Sequence, residues 1–220
     1  MNISDYILKD FQPFDSKELL RNMKEKSKNQ PFSHFALTEK EDVLVGCISE
    51  SDLATLNLEN KTIEDCQYLI HFFCAREEDH WLELLHLFAK NETNFLPVID
   101  KNQKYLGYLD LTDLLHFFSN TPFFNEEGTL LILEKETAQF SFSEVSQIVE
   151  VNNGKIAGFF VSKKTEEKTQ ISIKITSENT DEIIQTFRRY EYHIASNHRD
   201  DSYMENLKNR SNYLQKYLNV

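Results

Sequence analysis

Ser49 and Asp52 stand three residues apart at the end of an apolar run that contains Gly46. A glycine at such a place lets backbone approach closely, and a hydroxyl and a carboxylate one helical turn apart suit a sugar and its phosphate. The carboxylate can accept both hydroxyls of a ribose in charge-assisted bonds, and free amides at the opening of a helix can meet a phosphate. Ser49 is then the group for phosphate or ribose and Asp52 the group for the diol. The pattern returns at Gly107, Asp110, Thr112 and Asp113. The second version carries a carboxylate, Asp110, where the first has a hydroxyl. Two unit charges about 4 Å apart at an effective dielectric near 20 repel by roughly 4 kcal/mol, so this cleft is expected to stand vacant, to hold something uncharged, or to need a bridging cation.

These residues belong to a longer repeat. Gly46 and Gly107, like Asp52 and Asp113, are 61 residues apart. At the same offset the apolar run Phe35-Ala36-Leu37 answers to Leu96-Pro97-Val98, and an acidic, lysine-bearing turn separates two short apolar runs in each copy. Each copy therefore reads as a hairpin. Helical periodicity precedes it, with Leu19, Leu20 and Met23 on one face of residues 16–26 and Trp81, Leu84, Leu85 and Phe88 on one face of residues 78–90. Asp15 with Glu18 reads as a capping box for the earlier helix, and Glu77, Glu78 and Asp79 as capping charge for the later one. Asp52 and Asp113 open further short helices and are themselves good caps, a bland reading that stands beside the ligand one. One copy cannot cover its own sheet, whereas two packed about a pseudo-twofold axis can, leaving two related clefts. Trp81 is expected to fill the interface between the copies.

The two runs Gly46-Cys47-Ile48-Ser49-Glu50-Ser51-Asp52 and Gly107-Tyr108-Leu109-Asp110-Leu111-Thr112-Asp113 resemble the CBS motif, which occurs in tandem pairs called Bateman modules. Leu96-Pro97-Val98-Ile99-Asp100 resembles the strand that precedes this turn in the family. The resemblance implies two βαββα repeats, 1–60 and 61–122, and an adenosine-type ligand such as AMP, ADP, ATP or S-adenosylmethionine, with no cofactor required. The candidate ligand-binding residues are Gly46, Ser49, Asp52, Thr112 and Asp113.

Thr121-Pro122 and the polar run Asn125-Glu126-Glu127-Gly128 mark a boundary. Beyond it, over residues 128–198, the apolar runs and two capped helices opening at Ser141 and Asn179 read in the order βαββαβ, with Gly154 ending the first helix. This order resembles the ACT domain, and tandem CBS repeats followed by ACT-like domains are found in proteins of the acetoin-utilisation type. The loop Glu136-Thr137-Ala138-Gln139-Phe140 lacks the glycine that amino-acid-binding ACT domains carry, so the expected task is pairing of sheets between subunits. Residues 199–220 read as a C-terminal helix with Tyr203, Leu207, Leu214 and Tyr217 along one stripe, interrupted by Arg210. The fold class expected is α+β.

A formal charge of -12 at pH 7 opposes nucleic acid and anionic membrane, which are not expected as partners. The clusters Lys163-Lys164 with Lys168 and Arg188-Arg189 sit among acidic neighbours and read as solvated faces. The three cysteines form no CxxC pair, so neither a disulfide framework nor a metal site is indicated and a reducing, cytoplasmic setting is expected. No P-loop, dinucleotide fingerprint, HExxH or nucleophile elbow occurs. His80 and His86 fall on different faces of one helix, and the remaining histidines are scattered. No catalytic residue is therefore assigned. The reading is a non-catalytic regulatory protein, a homodimer that senses a small-molecule nucleotide and acts on a protein target the sequence does not name. The alternative is a constitutive protein-interaction module with degenerate ligand sites.

Overall fold

The computed structural model describes residues 3–56 and 61–195, which fall into two compact units, Met1–Ser119 and Asn120–Val220. In the first unit one set of elements occurs twice. The earlier set is β1 (Phe14–Asp15), α1 (Leu20–Ser27), β2 (His34–Thr38), β3 (Leu44–Ser49) and α2 (Glu50–Thr55). The later is β4 (Ala75–Arg76), α3 (Trp81–Lys90), β5 (Phe95–Ile99), β6 (Tyr105–Asp110) and α4 (Leu111–Ser119). Each set forms a three-stranded sheet, β1-β2-β3 or β4-β5-β6, with a parallel first pair and an antiparallel hairpin. The 61-residue offset of the sequence holds down to irregularities: the register shifts between Leu37 and Thr38 and again between Val98 and Ile99. Asp42 and Gln103, the matching turn residues, both take left-handed backbone, at φ 62° and 63°.

The two sets meet about a pseudo-twofold axis marked by equivalent residues touching one another. Val43 bridges Lys104, and the Ser33 amide donates to Asn94 Oδ1 (2.8 Å) while the Asn94 amide donates to Ser33 Oγ (3.0 Å). The leading segment of each set crosses to the other. Leu8 exchanges two backbone bonds with Tyr108, and His71 exchanges two with Cys47. This exchange explains why Phe95, Ile99 and Tyr108 pack into the core built on Phe35, Leu37 and Ile48, and why Cys47 packs into the core built on Leu84, Phe88 and Val98.

Both leading helices start later than their periodicity suggests. Strand pairing keeps the chain extended first: the Ser16 amide donates to Thr38 O (2.9 Å), and at the same place in the second set the Glu77 amide donates to Ile99 O (3.2 Å). Asp15 therefore caps a turn, accepting from the Lys17 amide (2.8 Å), and no side chain caps α1. Glu77, Glu78 and Asp79 likewise precede α3, whose cap is His80, accepting from the Leu82 amide (3.3 Å). Trp81 packs with the core cluster that contains Ile3 and Cys47 of the first copy. Its ring packs edge-on against Phe117 and Phe118, inside the helical layer of the second set.

The second unit holds α5 (Pro122–Asn125), β7 (Thr129–Glu136), α6 (Phe142–Val151), β8 (Lys155–Lys164), β9 (Lys168–Thr176), α7 (Thr180–Arg189) and β10 (His193–Ile194). The sheet order is β10-β7-β9-β8 with every pair antiparallel, the ferredoxin-like βαββαβ arrangement. Alternation fixes its faces: Leu131, Leu133, Ile171, Ile173 and Ile175 are fully buried beneath Val145, Ile148 and Val149 of α6 and Ile183, Ile184 and Phe187 of α7. Ser141 and Asn179 cap these helices, accepting from the amides of Glu144 and Glu182. The left-handed residue that ends α6 is Asn153 (φ 57°), one position before the glycine expected there. The stripe at 199–220 lies outside the described residues. Among the described residues no helix is long and apolar enough to cross a membrane.

Candidate functional site

Ser49 is the last residue of β3 and the N-cap of α2, because its extended backbone (φ -74°, ψ 150°) turns the chain into the helix there. Its Oγ accepts from the Asp52 amide at 3.0 Å, donates to Asp52 Oδ2 at 2.6 Å and lies 3.0 Å from Ser51 Oγ. The serine and aspartate singled out by spacing are thus in direct contact at the start of one helix. Capping falls to Ser49 rather than Asp52, leaving the rest of the Asp52 carboxylate for another donor.

Three residues that spacing did not single out complete this corner. His34 stands opposite Ser49 in the hairpin register, with its Nδ1 3.0 Å from Ser33 Oγ. The ring of Phe73 packs edge-on to His34, centroids 5.4 Å apart. His71 arrives on the crossed leading segment, paired to Cys47. Burial pushes the His34 pKa down, the neighbouring His71 pushes it further, and Asp52 opposes both. At neutral pH His34 is therefore an uncharged donor or acceptor beside the carboxylate. The hairpin register could have revealed it, since a two-stranded turn fixed at Gly46 sets His34 across from Ser49.

Gly46 admits the crossing chain. With φ at +152°, its bare face is covered by the crossing chain: a Cβ there would lie 2.6 Å from Ile70 Cγ2 and 3.0 Å from His71 O. Gly107 (φ +146°) meets Ile7 and Leu8 in the same way. The close approach expected of these glycines is to the protein's own backbone.

The equivalent corner of the second set is built from different chemistry. Asp110 replaces Ser49 and spends one oxygen on the amide of Thr112 (2.6 Å), which makes it the local cap of α4. Thr112 is itself exposed, and Asp113 is half-buried. Where the first set has His34 and Cys47, the second has Phe95 and Tyr108, stacked with centroids 4.6 Å apart. Phe32 packs on both, at 5.2 Å and 5.1 Å. Tyr108 donates to Asp10 Oδ1 (2.8 Å), and burial with the nearby Asp10, Asp110 and Asp113 pushes its phenol pKa up.

Residues 69–120 match the CBS domain family. Over 83 residues the chain is 29% identical to the inosine-5'-monophosphate dehydrogenase of Methanocaldococcus jannaschii, a match covering 38% of this chain and 16% of that enzyme. Among solved structures, a CBS domain pair/ACT domain protein from Thermotoga maritima aligns with a TM-score of 0.48 at 21% identity, over 54% of this chain and 96% of that one. The protein CBSX2 in complex with AMP aligns with a TM-score of 0.46 at 16% identity, over 53% of this chain and 95% of that one. The family match thus covers residues 69–120 of the second set, and the first set repeats the same elements in the same register from Phe14 to Thr55.

Proposed function

We propose that the protein is a non-catalytic regulator whose first cleft, at Ser49 and Asp52, takes an adenosine-type nucleotide, and whose second unit joins two copies into a dimer. The observation that carries this reading is the contrast between the corners. The first presents a hydroxyl in contact with a carboxylate, a neutral histidine and the edge of Phe73. A ribose diol on Asp52, a phosphate toward the α2 amides and a base beside Phe73 and His34 would use each of them. The second corner offers none of this, so one nucleotide per chain is expected. The second unit is read as ACT-like, with no amino-acid site in its 136–140 loop and its sheet as the joining surface.

Thermal melting of the full chain with AMP, ADP, ATP and S-adenosylmethionine tests the reading. A ligand at about 100 times its Kd stabilises by about 2.7 kcal/mol, a rise of roughly 5 to 10 °C for a protein of this size. Asp52→Asn keeps the shape and removes the charge, so it should abolish that rise while leaving the ligand-free melt in place. No rise with any of the four, at concentrations to several millimolar, refutes the nucleotide. A second reading, a constitutive interaction module, is favoured by the motif glycines packing on the chain itself. It predicts a dimer by sedimentation that ignores all four compounds.

A further inference from the structure

His34 shares one face of the first sheet with Ser49 and His71. It pairs with Ser49 across the hairpin, Cys47 precedes Ser49 by two residues on the same strand, and His71 pairs with Cys47 on the crossing segment. Paired residues and alternate residues lie on the same side of a pleated sheet, so these side chains point into one corner. The ring of Phe73 and the carboxylate of Asp52 complete the surroundings of His34. Its Nδ1 lies 3.0 Å from Ser33 Oγ. Its Nε2 has no hydrogen-bond partner among the described residues and is open to solvent, since it is not one of the buried polar atoms left without a bond.

Few hydrogens are available to this network, and their order decides which nitrogen of the neutral ring carries the proton. Thr93 Oγ1 donates its only hydrogen to Phe95 O (2.7 Å) and accepts from the Phe95 amide (3.1 Å). Ser33 Oγ accepts from the Asn94 amide (3.0 Å), which leaves its own hydrogen for Thr93 Oγ1 at 3.2 Å or for His34 Nδ1 at 3.0 Å. The ring nitrogen is the nearer acceptor, and Thr93 Oγ1 already accepts one bond. Ser33 therefore donates to Nδ1, and the proton of the ring stands on Nε2. Asn94 holds Ser33 in place from the other half of the pair, accepting the Ser33 amide on Oδ1 and donating from Nδ2 to Pro31 O (2.7 Å).

From this geometry we infer that His34 reads the base: its Nε2–H donates to a ring nitrogen of an adenine held beside Phe73, and Ser33 is the positioning residue that sets the tautomer. The inference rests on the nucleotide reading of the first corner and deepens it. Asp52 cannot supply this bond, because a carboxylate only accepts. At the 61-residue offset the counterpart of His34 is Phe95, which has no side-chain hydrogen bond to offer, so the second corner cannot read a base in this way.

Calorimetric titration of the full chain at pH 7.5 with AMP and with its 1-deaza, 3-deaza and 7-deaza analogues tests this, since each analogue replaces one ring nitrogen by C–H. One of the three should bind about three- to tenfold more weakly than AMP, the loss of one neutral hydrogen bond. In His34→Phe, with the side chain that the second half carries at the equivalent position, that penalty should vanish. Should this variant fail to fold, nitrogen-15 NMR of the unaltered protein reads the same bond. The free protein should show the proton on Nε2 of His34, and AMP, but not the penalised analogue, should slow the exchange of that proton. Equal affinity for AMP and all three analogues, an undiminished penalty in the folded variant, or a proton on Nδ1 in the free protein each overturns the inference. AMP that does not bind at all refutes the nucleotide reading and this inference with it, whereas AMP that binds without any such penalty removes only the role of His34.

Discussion

Gly107→Ala is the sharpest test of how the pair is assembled. The glycine sits at φ +146°, where an L side chain is strained, and a methyl group added there would overlap the carbonyl oxygen of Leu8 and the side chain of Ile7. Backbone strain of this kind costs about 1–3 kcal/mol. Relieving the overlap moves Leu8 away from Tyr108 and weakens two backbone bonds, of 2.8 Å and 3.0 Å, worth about 1 kcal/mol each. The sum is about 3–5 kcal/mol, or a fall in Tm of roughly 12–20 °C for a unit of this size. Gly46→Ala should cost less, about 2–3 kcal/mol, because its nearest obstacle is the tip of the Ile70 side chain and the backbone oxygen of His71 lies at 3.0 Å. Urea unfolding followed by Trp81 fluorescence gives both numbers, since Trp81 packs against the same core as Ile7. A Gly107→Ala protein within about 1 kcal/mol of wild type, or a larger loss at Gly46, would refute the view that these glycines exist to admit the crossing chain.

Three further outcomes follow from the same geometry. Burial and His71 lower the His34 pKa from 6.5, so the unfolded chain binds more protons there; this contribution is complete above pH 6.5 and is lost as pH falls. Urea midpoints at pH 7.5 and 5.5 should therefore show wild type losing stability relative to His34→Gln, and parallel midpoints would contradict it. The Cys47 thiol is fully buried with its pKa pushed well up, Cys66 is buried, and burial raises Cys74 as well. Brief iodoacetamide treatment of the native protein at pH 8 should leave the intact mass nearly unchanged, whereas urea should admit three labels, and fast native labelling of Cys47 would show that the hairpin opens. In the second unit Lys135 reaches both oxygens of Glu144 (2.9 and 3.0 Å) and lies 4.5 Å from the Tyr192 ring centre. Lys135→Met should cost about 1–3 kcal/mol by chemical denaturation, and adding Glu144→Leu should recover most of it; no cost for the single change would mean the pair contributes nothing.

The repeat was legible in the sequence because it is written in backbone requirements. Gly46 and Gly107 permit the same close approach, Ser49 and Asp110 begin the same helices, and the 61-residue offset carries the bulges and left-handed turns with it. The alternation of Ile171, Ile173 and Ile175 likewise identifies the inner face of the second sheet without knowledge of its partners. What periodicity could not show is where strand pairing overrules it. Residues 16–19 and 78–80 have helical character, yet the pairing of β1 and β4 with their neighbours keeps the chain extended and delays the helices by several residues. The crossing of the leading segments was also hidden, because it depends on contacts between residues some 24 to 100 positions apart, such as Cys47 with His71 and Leu8 with Tyr108. For that reason the sequence suggested Ser49 and Asp52 but left His34, His71 and Phe73 scattered.

The pseudo-twofold axis constrains the two halves unequally along their length, and this is what allows the corners to differ. Residues on the axis must suit their own counterparts, as Ser33 does Asn94 and Val43 does Lys104, so a change there disturbs both halves together. Residues facing a corner pack against residues other than their own counterparts, as Phe95 and Tyr108 do against Phe32, so the two corners need not match. In the second corner Phe95 stacks on Tyr108 and is buttressed by Phe32, where the first corner has His34 and Cys47. Each such ring contact contributes about 0.5–1.5 kcal/mol beyond area burial, so this corner gains its stability from the chain itself. In the first corner Ser49 and Asp52 bond to each other and His34 to Ser33. On the proposed reading, a ligand at the first corner would shift the pair only by what it adds to one state over another, whereas the second corner is already stabilised by its own rings.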